Sequence, residues 1–359
     1  MLLNSQNVNF YANMAKKQFL AFSCSIILSY KCLNARDFLH IFLFYFIIKM
    51  VMIMNKKVVI IGCGNVGMSY AYALLNQKTN VQELVLIDLN KERIIGEAMD
   101  LNHCLAFAPT KMTIKAGDYK DCKDAQIVCI AAGANQNPGE TRMDLIHKNS
   151  KIFKSIIKEV MDNGFDGIFL IATNPLDIMT YITWKYSGLP TSRVIGSGTS
   201  LDTARLRYMI GDKLNFNPKN VHAYVIGEHG DSEFVPWSNV NIGLQNINDF
   251  LDNSEKEQIY IDVRDAAYDI INRKGATCYG IGMCLVRITN AILGDENSII
   301  TVSTYDEKND VYVSVPAVLN STGVRNRIYV KLNDEETEKL QHSIDVIRAA
   351  IDSIEDFKK

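Results

Sequence analysis

The sequence predicts an α/β fold, in which a doubly wound parallel sheet is followed by an α+β region. Short runs such as residues 58–61 are apolar throughout and rich in β-branched side chains, which suits parallel strands covered on both faces. Helical segments alternate with these runs as far as about residue 195. The chain has 359 residues, of which 48% are hydrophobic, so it can bury one large core or two.

The elements of the first part follow one another as strand and helix. We expect strands at residues 58–61, 84–87, 127–132 and 168–171, and helices at about 68–75 and 91–101. In the second part we expect helices at 199–210, 253–274 and 334–357, a buried strand at 223–226, and antiparallel strands at 299–304 and 311–315. These patterns predict a first domain over residues 55–195 and a second domain over residues 196–359.

Residues 1–54 do not share this strand-and-turn pattern. An apolar run at residues 41–48 is too short to cross a bilayer, which takes about 20 residues. Lys16 and Lys17 before an apolar stretch resemble a weak signal peptide without a small-residue cleavage site. The favoured interpretation is an upstream-extended reading frame with the natural start at Met54, because Met54 leads directly into the first strand. A weak membrane anchor is the alternative.

Charge and cysteine content argue against several classes of function. The formal net charge is -2 and no long block of like charge is present, so neither a nucleic acid nor a membrane surface is an expected partner. The eight cysteines are scattered without the spacing of a zinc site, so no metal is expected. Free thiols in a reducing compartment are the favoured interpretation, and a disulfide framework is the alternative.

A glycine-rich turn predicts a dinucleotide site. Gly62, Gly64 and Gly67 follow the first strand and open a helix, and Asp88 ends the next strand. This spacing supplies one glycine for the turn, one for the approach of a pyrophosphate and one for close packing of the helix. A carboxylate at Asp88 accepts hydrogen bonds from a ribose and repels a 2′-phosphate, so this Rossmann-type domain is expected to bind NAD rather than NADP.

The candidate reacting residues lie in three polar segments. His229 stands between glycine and acidic residues, and a histidine exchanges protons readily near neutral pH. Asp202 and Arg205 are spaced to share one helix face. The polar loop at residues 136–142 has the Pro and Gly of a hinged lid and ends in Arg142. On spacing alone, a structural histidine and a surface ion pair remain open as alternatives.

Six segments together resemble the bacterial-type L-lactate dehydrogenases of the lactate/malate dehydrogenase family. They are residues 62–67, 133–142, 173–177, 196–207, 222–231 and 274–279. The resemblance extends from Lys56 to the C-terminal helix, and several segments in the right order are more specific than any one motif. It implies an enzyme that uses NADH to reduce pyruvate to (S)-lactate, and that catalyses the reverse reaction.

The same resemblance assigns roles to the reacting residues. His229 would be the general acid that protonates the carbonyl oxygen, and Asp202 would hold its imidazole in one tautomer. Arg205 would grip the substrate carboxylate with its planar guanidinium. Arg142 would polarise the carbonyl and help to exclude water. The other substrate contacts that the resemblance implies are Asn174 and Thr277.

Gln136 distinguishes between related substrates. The similar malate dehydrogenases carry arginine at this loop position to neutralise a second carboxylate, whereas glutamine is neutral. A buried unpaired carboxylate costs several kcal/mol, so a monocarboxylate such as pyruvate is favoured. The alternative is a related L-2-hydroxy acid dehydrogenase with a larger 2-oxo acid. A non-catalytic NAD-binding protein on the same fold is disfavoured, because the four reacting residues occur together.

The resemblance also implies further contacts with NAD. They fall at Val66, Arg93, Tyr119, Gly133, Ala134, Ser155, Ala172, Thr173, Asn174 and Ser197. Three positions depart from the family pattern. Arg93 replaces the usual lysine and keeps its charge, Cys278 stands where tyrosine is common, and Pro236 comes later than the usual proline. None of these three is a predicted catalytic residue.

Arg207 and His222 predict a regulatory site. Arg207 lies about 200° around the helix from Arg205, so the two side chains point to opposite sides. In family members that respond to fructose 1,6-bisphosphate, an arginine and a histidine at these positions bind its phosphates. The alternative is a solvated arginine and a structural histidine. Such a site implies a homotetramer, and the resemblance as a whole implies a cytoplasmic enzyme of fermentative glycolysis.

Overall fold

The computed structural model describes residues 56–134, 139 and 141–357 of the chain. The N-terminal extension at residues 1–54 and the candidate substrate residue Gln136 therefore lie outside the described residues, as does the side chain of Arg142. In the part of the chain that is described, no helix is both long and apolar enough to cross a membrane.

The strands of the described residues form one large sheet and one small sheet. They are β1 (Lys57–Ile61), β2 (Glu83–Ile87), β3 (Thr113–Ala116), β4 (Ile127–Ile130), β5 (Ile168–Ile171), β6 (Val194–Gly196), β7 (Val221–His222), β8 (Asn241–Ile242), β9 (Gln245–Asn246), β10 (Ser298–Asp306), β11 (Val311–Asn320) and β12 (Gly323–Arg327). The large sheet has the order β12-β11-β10-β6-β5-β4-β1-β2-β3. Its strands β1 to β6 are parallel in the doubly wound order, which confirms the predicted fold class.

The two antiparallel strands predicted in the second part are present as β10 and β11. They do not form a sheet of their own, because β10 pairs with β6 through Ser303 and Gly196. Strands β10 to β12 therefore extend the parallel sheet beyond β6. This continuity brings residues of the second part against the carboxyl end of β6, where polar side chains of the first part also meet.

The described helices are α1 (Asn65–Asn76), α2 (Lys91–Cys104), α3 (Arg142–Asp162), α4 (Leu176–Ser187), α5 (Ser200–Leu214), α6 (Asn253–Lys274), α7 (Tyr279–Leu293) and α8 (Asp334–Asp352). The bounds of α6 are as predicted, whereas α1 begins before its prediction because glycine-rich turns hide the helical period. Helices α3, α4 and α7 are additional to the predicted elements. The first eight residues of α4 are all buried, so α4 has little polar face from which a helix can be recognised.

Two apolar layers cover the large sheet, one on each face. Val58 and Ile60 of β1 point into a layer with α1, α2 and α7, whereas Val59 and Ile61 point into a layer with α3, α4 and α8. All four side chains are buried. Continuous apolar strands are the expected result, since each side chain of a doubly covered strand must enter one layer or the other.

The predicted strand at residues 223–226 is wrong for most of its length. Residues 223–225 are in no strand, and Ile226 makes only an isolated bridge to Phe234. Helix α5 and its N-cap residue Thr199 supply the hydrogen-bond partners instead. Thr203 Oγ1 accepts from the Val225 amide at 3.0 Å, and Thr199 Oγ1 donates to the Val225 carbonyl at 2.5 Å. The run is buried because it packs on a helix, which the apolar pattern alone cannot distinguish from a sheet.

Candidate active site

The glycine-rich turn after β1 has the geometry of a phosphate-binding turn. Gly62 has φ +96°, and a Cβ there would lie 2.3 Å from the Ala132 nitrogen. A Cβ at Gly67 would lie 2.0 Å from the carbonyl oxygen of Gly62, so this glycine allows α1 to pack against the turn. At Gly64 no described atom lies within 4 Å of such a Cβ. The open side of Gly64 at the N-terminus of α1 therefore fits the approach of a pyrophosphate.

Asp88 is held against this turn by two backbone donors. Its Oδ2 accepts a hydrogen bond from the Cys63 amide at 2.8 Å, and its Oδ1 accepts one from the Asn90 amide at 3.1 Å. Each carboxylate oxygen keeps a further lone pair for a ribose hydroxyl. Arg93 points elsewhere in this structure, because its guanidinium pairs with Glu97 at 3.2 Å.

The remaining predicted NAD contacts are spread over the carboxyl ends of several strands and over α3. Gly133 and Ala134 follow β4, Ala172, Thr173 and Asn174 follow β5, and Ser197 follows β6. Val66 lies in the first turn of α1, and Tyr119 begins a short 3-10 helix after β3. Ser155 is exposed on α3. The sheet order reverses between β1 and β4, and the glycines that follow these two strands lie at the kind of point where ligands bind in open α/β sheets.

Asn149 of α3 joins two of these strand ends and was missed by sequence reasoning. Its Oδ1 accepts from the Ala134 amide at 2.8 Å, and its Nδ2 donates to the Asn174 carbonyl at 2.9 Å. The side chain of Asn174 is exposed and free to face a ligand. No sequence signal marks Asn149, because its partners are distant loops rather than neighbours along the chain.

Asp202, Arg205 and His229 meet in one hydrogen-bonded cluster. His229 Nδ1 lies 2.7 Å from Asp202 Oδ2, and Arg205 Nη1 donates to Asp202 Oδ1 at 2.7 Å. The Asp202 side chain is 3% exposed and that of Arg205 12%, so this is not a surface ion pair. The His229 side chain is 25% exposed. With Nδ1 turned to Asp202, its other ring nitrogen remains for a substrate.

The electrostatics of the cluster hold a proton on His229. Burial opposes charge on the imidazole, but Asp202, with smaller contributions from Glu233 and Asp177, raises the pKa of His229 to about 9. Burial likewise opposes charge on Asp202, and the neighbouring His229 and Arg205 nevertheless lower the pKa of its carboxyl. An imidazolium paired with a carboxylate is therefore the expected form at neutral pH.

Glu233 is a second buried acid beside His229. Its Oε2 lies 3.9 Å from His229 Nδ1, and its side chain is 4% exposed. Burial, reinforced by the nearby Asp202, raises the pKa of Glu233 well above its usual range. Sequence reasoning did not single out Glu233, because a glutamate is seldom buried and nothing in the neighbouring sequence marks this one.

Two further predicted site residues, Arg142 and Thr277, stand near the beginnings of helices. Arg142 begins α3, where Thr141 and Asp144 form a capping box that defines the first turn of the helix. Gln136 lies outside the described residues. Thr277 is half-buried and precedes Cys278, the N-cap residue of α7.

Arg207 and His222 lie on neighbouring segments. Arg207 Nε donates to the Ala223 carbonyl at 2.9 Å, and its guanidinium stacks 4.9 Å from the ring centre of Tyr224. His222 is exposed in β7. Among the described residues no carboxylate pairs with Arg207, so its outer nitrogens are available to an anion.

Comparison with known proteins gives matches over nearly all of the described part of the chain. The family model of the lactate/malate dehydrogenase NAD-binding domain matches residues 56–196, and that of the α/β C-terminal domain matches residues 199–358. The chain is 56% identical to L-lactate dehydrogenase 1 of Bacillus cereus over 303 residues, which cover 82% of this chain and 96% of that protein.

Solved structures agree with these matches. A lactate dehydrogenase from a deep-sea metagenome library is 54% identical, with a TM-score of 0.81 over 83% of this chain and 98% of that one. The ligand-bound minor L-lactate dehydrogenase of Enterococcus mundtii is 44% identical, with a TM-score of 0.82 over 84% of this chain and 98% of that one.

Proposed function

This chain belongs to the lactate/malate dehydrogenase family, and we propose that it is an NAD-dependent L-lactate dehydrogenase that interconverts pyruvate and (S)-lactate. The observation that carries the proposal is the buried cluster of Asp202, Arg205 and His229, which places a proton donor beside a cation. The open turn at Gly64 and the oriented carboxylate of Asp88 support the binding of NAD. We place the boundary between the nucleotide and substrate parts near residue 195.

Each residue of the cluster has one task in the proposed reaction. Bound NADH supplies the hydride that reaches the carbonyl carbon of the substrate. His229 donates its proton to the carbonyl oxygen from the ring nitrogen that does not face Asp202. Asp202 fixes the tautomer and stabilises the imidazolium. Arg205 has guanidinium nitrogens beyond the one that Asp202 uses, and these bind the substrate carboxylate.

The remaining assignments complete the substrate site. Arg142, at the end of the loop, polarises the carbonyl and helps to exclude water. Asn174 hydrogen-bonds the substrate oxygen, and Thr277 lines the pocket. Burial raises the pKa of Glu233 well above its usual range, and Asp202 is the carboxylate that pairs closely with His229, at 2.7 Å.

The substrate assignment rests on Gln136 and is tested by the oxidation of NADH with three 2-oxo acids. We expect kcat/KM for pyruvate to exceed that for oxaloacetate about 100-fold, because a neutral glutamine leaves the second carboxylate unpaired. A branched 2-oxo acid serves as the third substrate. A higher kcat/KM for the branched acid supports the alternative enzyme with a larger substrate, and no turnover of any of the three refutes the proposed function.

We propose further that the enzyme is a homotetramer regulated by fructose 1,6-bisphosphate through Arg207 and His222. The uncompensated guanidinium of Arg207 beside the exposed His222 suits a phosphate group. Six free cysteines among the described residues suit a reducing compartment, and we propose the cytoplasm and a role in fermentative glycolysis.

The regulatory site has its own test. We expect fructose 1,6-bisphosphate to lower KM for pyruvate about 10-fold, a coupling of ordinary size for an allosteric effector. The double variant Arg207→Gln/His222→Asn should lose this response while it keeps its mass in sedimentation equilibrium. Inorganic phosphate is the control for a general anion effect. An unchanged saturation curve of the wild type with the bisphosphate contradicts the assignment.

A further inference from the structure

Asp177 is a buried carboxylate next to the cluster that has no place in the roles assigned above. It is the second residue of α4 and only 2% exposed. It follows Asn174 closely in the chain, so it belongs to the strand end that carries a substrate contact. An acid in the first turn of a helix ordinarily stabilises the N-terminus of that helix.

The contacts of Asp177 go to other elements instead. Its Oδ2 accepts a hydrogen bond from the backbone amide of His229 at 2.8 Å. Its Oδ1 accepts one from the hydroxyl of Ser303 in β10 and a longer one, at 3.4 Å, from the hydroxyl of Ser314 in β11. Both serines are fully buried. One carboxylate therefore ties α4 to the histidine segment and to two strands of the second part.

The segment before His229 is held from its other side by β11. The Gly227 amide donates to the Ser314 carbonyl at 2.9 Å, and the Ser314 amide donates to the Gly227 carbonyl at 3.0 Å. Gly227 has φ +102°, and a Cβ there would lie 2.6 Å from Ser343 Oγ, so a residue with a side chain would be strained at this position. The backbone of His229 is thus fixed between β11 and the side chain of Asp177.

We propose that Asp177 is a positioning residue for the reaction, which holds the backbone of His229 at a fixed distance from the strand end that carries Asn174. The inference rests on the proposed function, in which His229 donates a proton and Asn174 contacts the same substrate oxygen. Such groups must be held closely, because a displacement of about 1 Å costs about 100-fold in rate. Asp202 orients the imidazole through Nδ1, whereas Asp177 locates the main chain that carries it.

The charge of Asp177 gives the inference a second readout. Asp202, Glu233 and Asp177 face His229, and each of them raises the pKa of the imidazole. Burial raises the pKa of Asp177 itself, whereas the hydroxyl of Ser303 and the amide of His229 oppose that rise. A neutral residue of the same shape at position 177 should therefore lower the pKa of His229 and leave its position almost unchanged.

The test compares Asp177→Ala, Asp177→Asn and the control Thr183→Val. Thr183 is buried in the same helix, and among the described residues its hydroxyl donates to the Met179 carbonyl alone, so its variant reports on the packing of α4. We expect Asp177→Ala to lower kcat about 100-fold with an unchanged Kd for NADH, and Asp177→Asn to recover most of this loss. The fall of kcat/KM at high pH should move to lower pH in Asp177→Asn and not in Thr183→Val.

A readout without substrate separates this inference from the proposed function. The imidazole signals of His229 in 1H–15N NMR should be as sharp in Thr183→Val as in the wild type, and broadened by exchange in Asp177→Ala. If Asp177→Ala does not fold, the double variant Ser303→Ala/Ser314→Ala replaces it, with an expected loss of about 10-fold in kcat. Unaltered His229 signals in a folded Asp177→Ala, or equal losses of kcat in Asp177→Ala and Asp177→Asn, overturn the inference. Failure to reduce any 2-oxo acid overturns only the proposed function.

Discussion

We expect His229→Asn to lower kcat for pyruvate reduction about 1000-fold, because a positioned general acid contributes about 100- to 10,000-fold. Asparagine keeps a polar group near the substrate but cannot give up a proton. The residues predicted to bind NADH lie mostly at the carboxyl ends of other strands, so the Kd for NADH should not change. Stopped-flow oxidation of NADH measures kcat, and NADH fluorescence measures binding.

His103→Asn is the matched control for this substitution. His103 is exposed in the last turn of α2, away from the cluster, so the control exchanges the same residue types without touching the reaction. The control should retain the kcat of the wild type. Near-normal turnover in His229→Asn would remove His229 from the role of proton donor.

The pH dependence of the wild type provides a second signature of His229. Its pKa of about 9 lies above the ordinary 6.5 because, although burial opposes the charge, Asp202 favours it. Reduction needs the imidazolium, so kcat/KM for pyruvate should stay level below about pH 9 and fall above it, whereas lactate oxidation should rise towards that pH. By linkage, the pair stabilises the fold fully below pH 6.5 and ceases to do so as the pH rises through about 9. His229→Asn should abolish the pH dependence of the activity and the pH dependence of the stability that arise from this pair.

The glycine-rich turn and the carboxylate beside it could be predicted from sequence because their determinants are local. Gly62, Gly64 and Gly67 act through backbone conformation within one turn, and Asp88 is reached by counting along one strand, helix and strand unit. The resemblance added the order of the segments, and the family matches agree with it. Strands covered on both faces could also be predicted, since a short run of apolar β-branched residues indicates such a strand without reference to the rest of the chain.

The supports of the cluster could not be predicted, because each depends on a contact between distant segments. Asp177 serves His229, Ser303 and Ser314, none of which has a fixed spacing from it. The strand predicted at residues 223–226 fails for the same reason, since the hydroxyls that bond its backbone come from α5 and from the N-cap of that helix. Apolar pattern reports burial, and only the fold decides whether a helix or a strand provides that burial.

Arg205→Lys should raise KM for pyruvate about 100-fold, since losing one charge-assisted hydrogen bond from a bidentate pair costs about 2–3 kcal/mol. The guanidinium of Arg205 donates one nitrogen to Asp202 at 2.7 Å and is 12% exposed, so its remaining nitrogens face the site from a fixed plane. An ammonium group is a point charge and cannot bind two carboxylates in the way that the planar guanidinium can. If the lysine pairs with Asp202, it no longer binds the substrate carboxylate. If it binds the substrate, His229 becomes the remaining cationic partner of Asp202.

These two outcomes for Arg205→Lys differ in their pH dependence, which makes the substitution informative about Asp202 as well. Arg205 lowers the pKa of the Asp202 carboxyl. A lysine drawn towards the substrate would let this pKa rise, so kcat should fall at low pH and KM should also rise. The control is Arg193→Lys. Arg193 pairs with Asp166 in a partly exposed salt bridge, and among the described residues its guanidinium makes no hydrogen bond or ion pair with the cluster around His229. Steady-state kinetics with pyruvate from pH 5 to pH 9 measures both effects. The range ends at about 9, the pKa of His229, so the imidazole keeps its proton over most of it. A KM equal to that of the control would mean that another cation binds the substrate carboxylate.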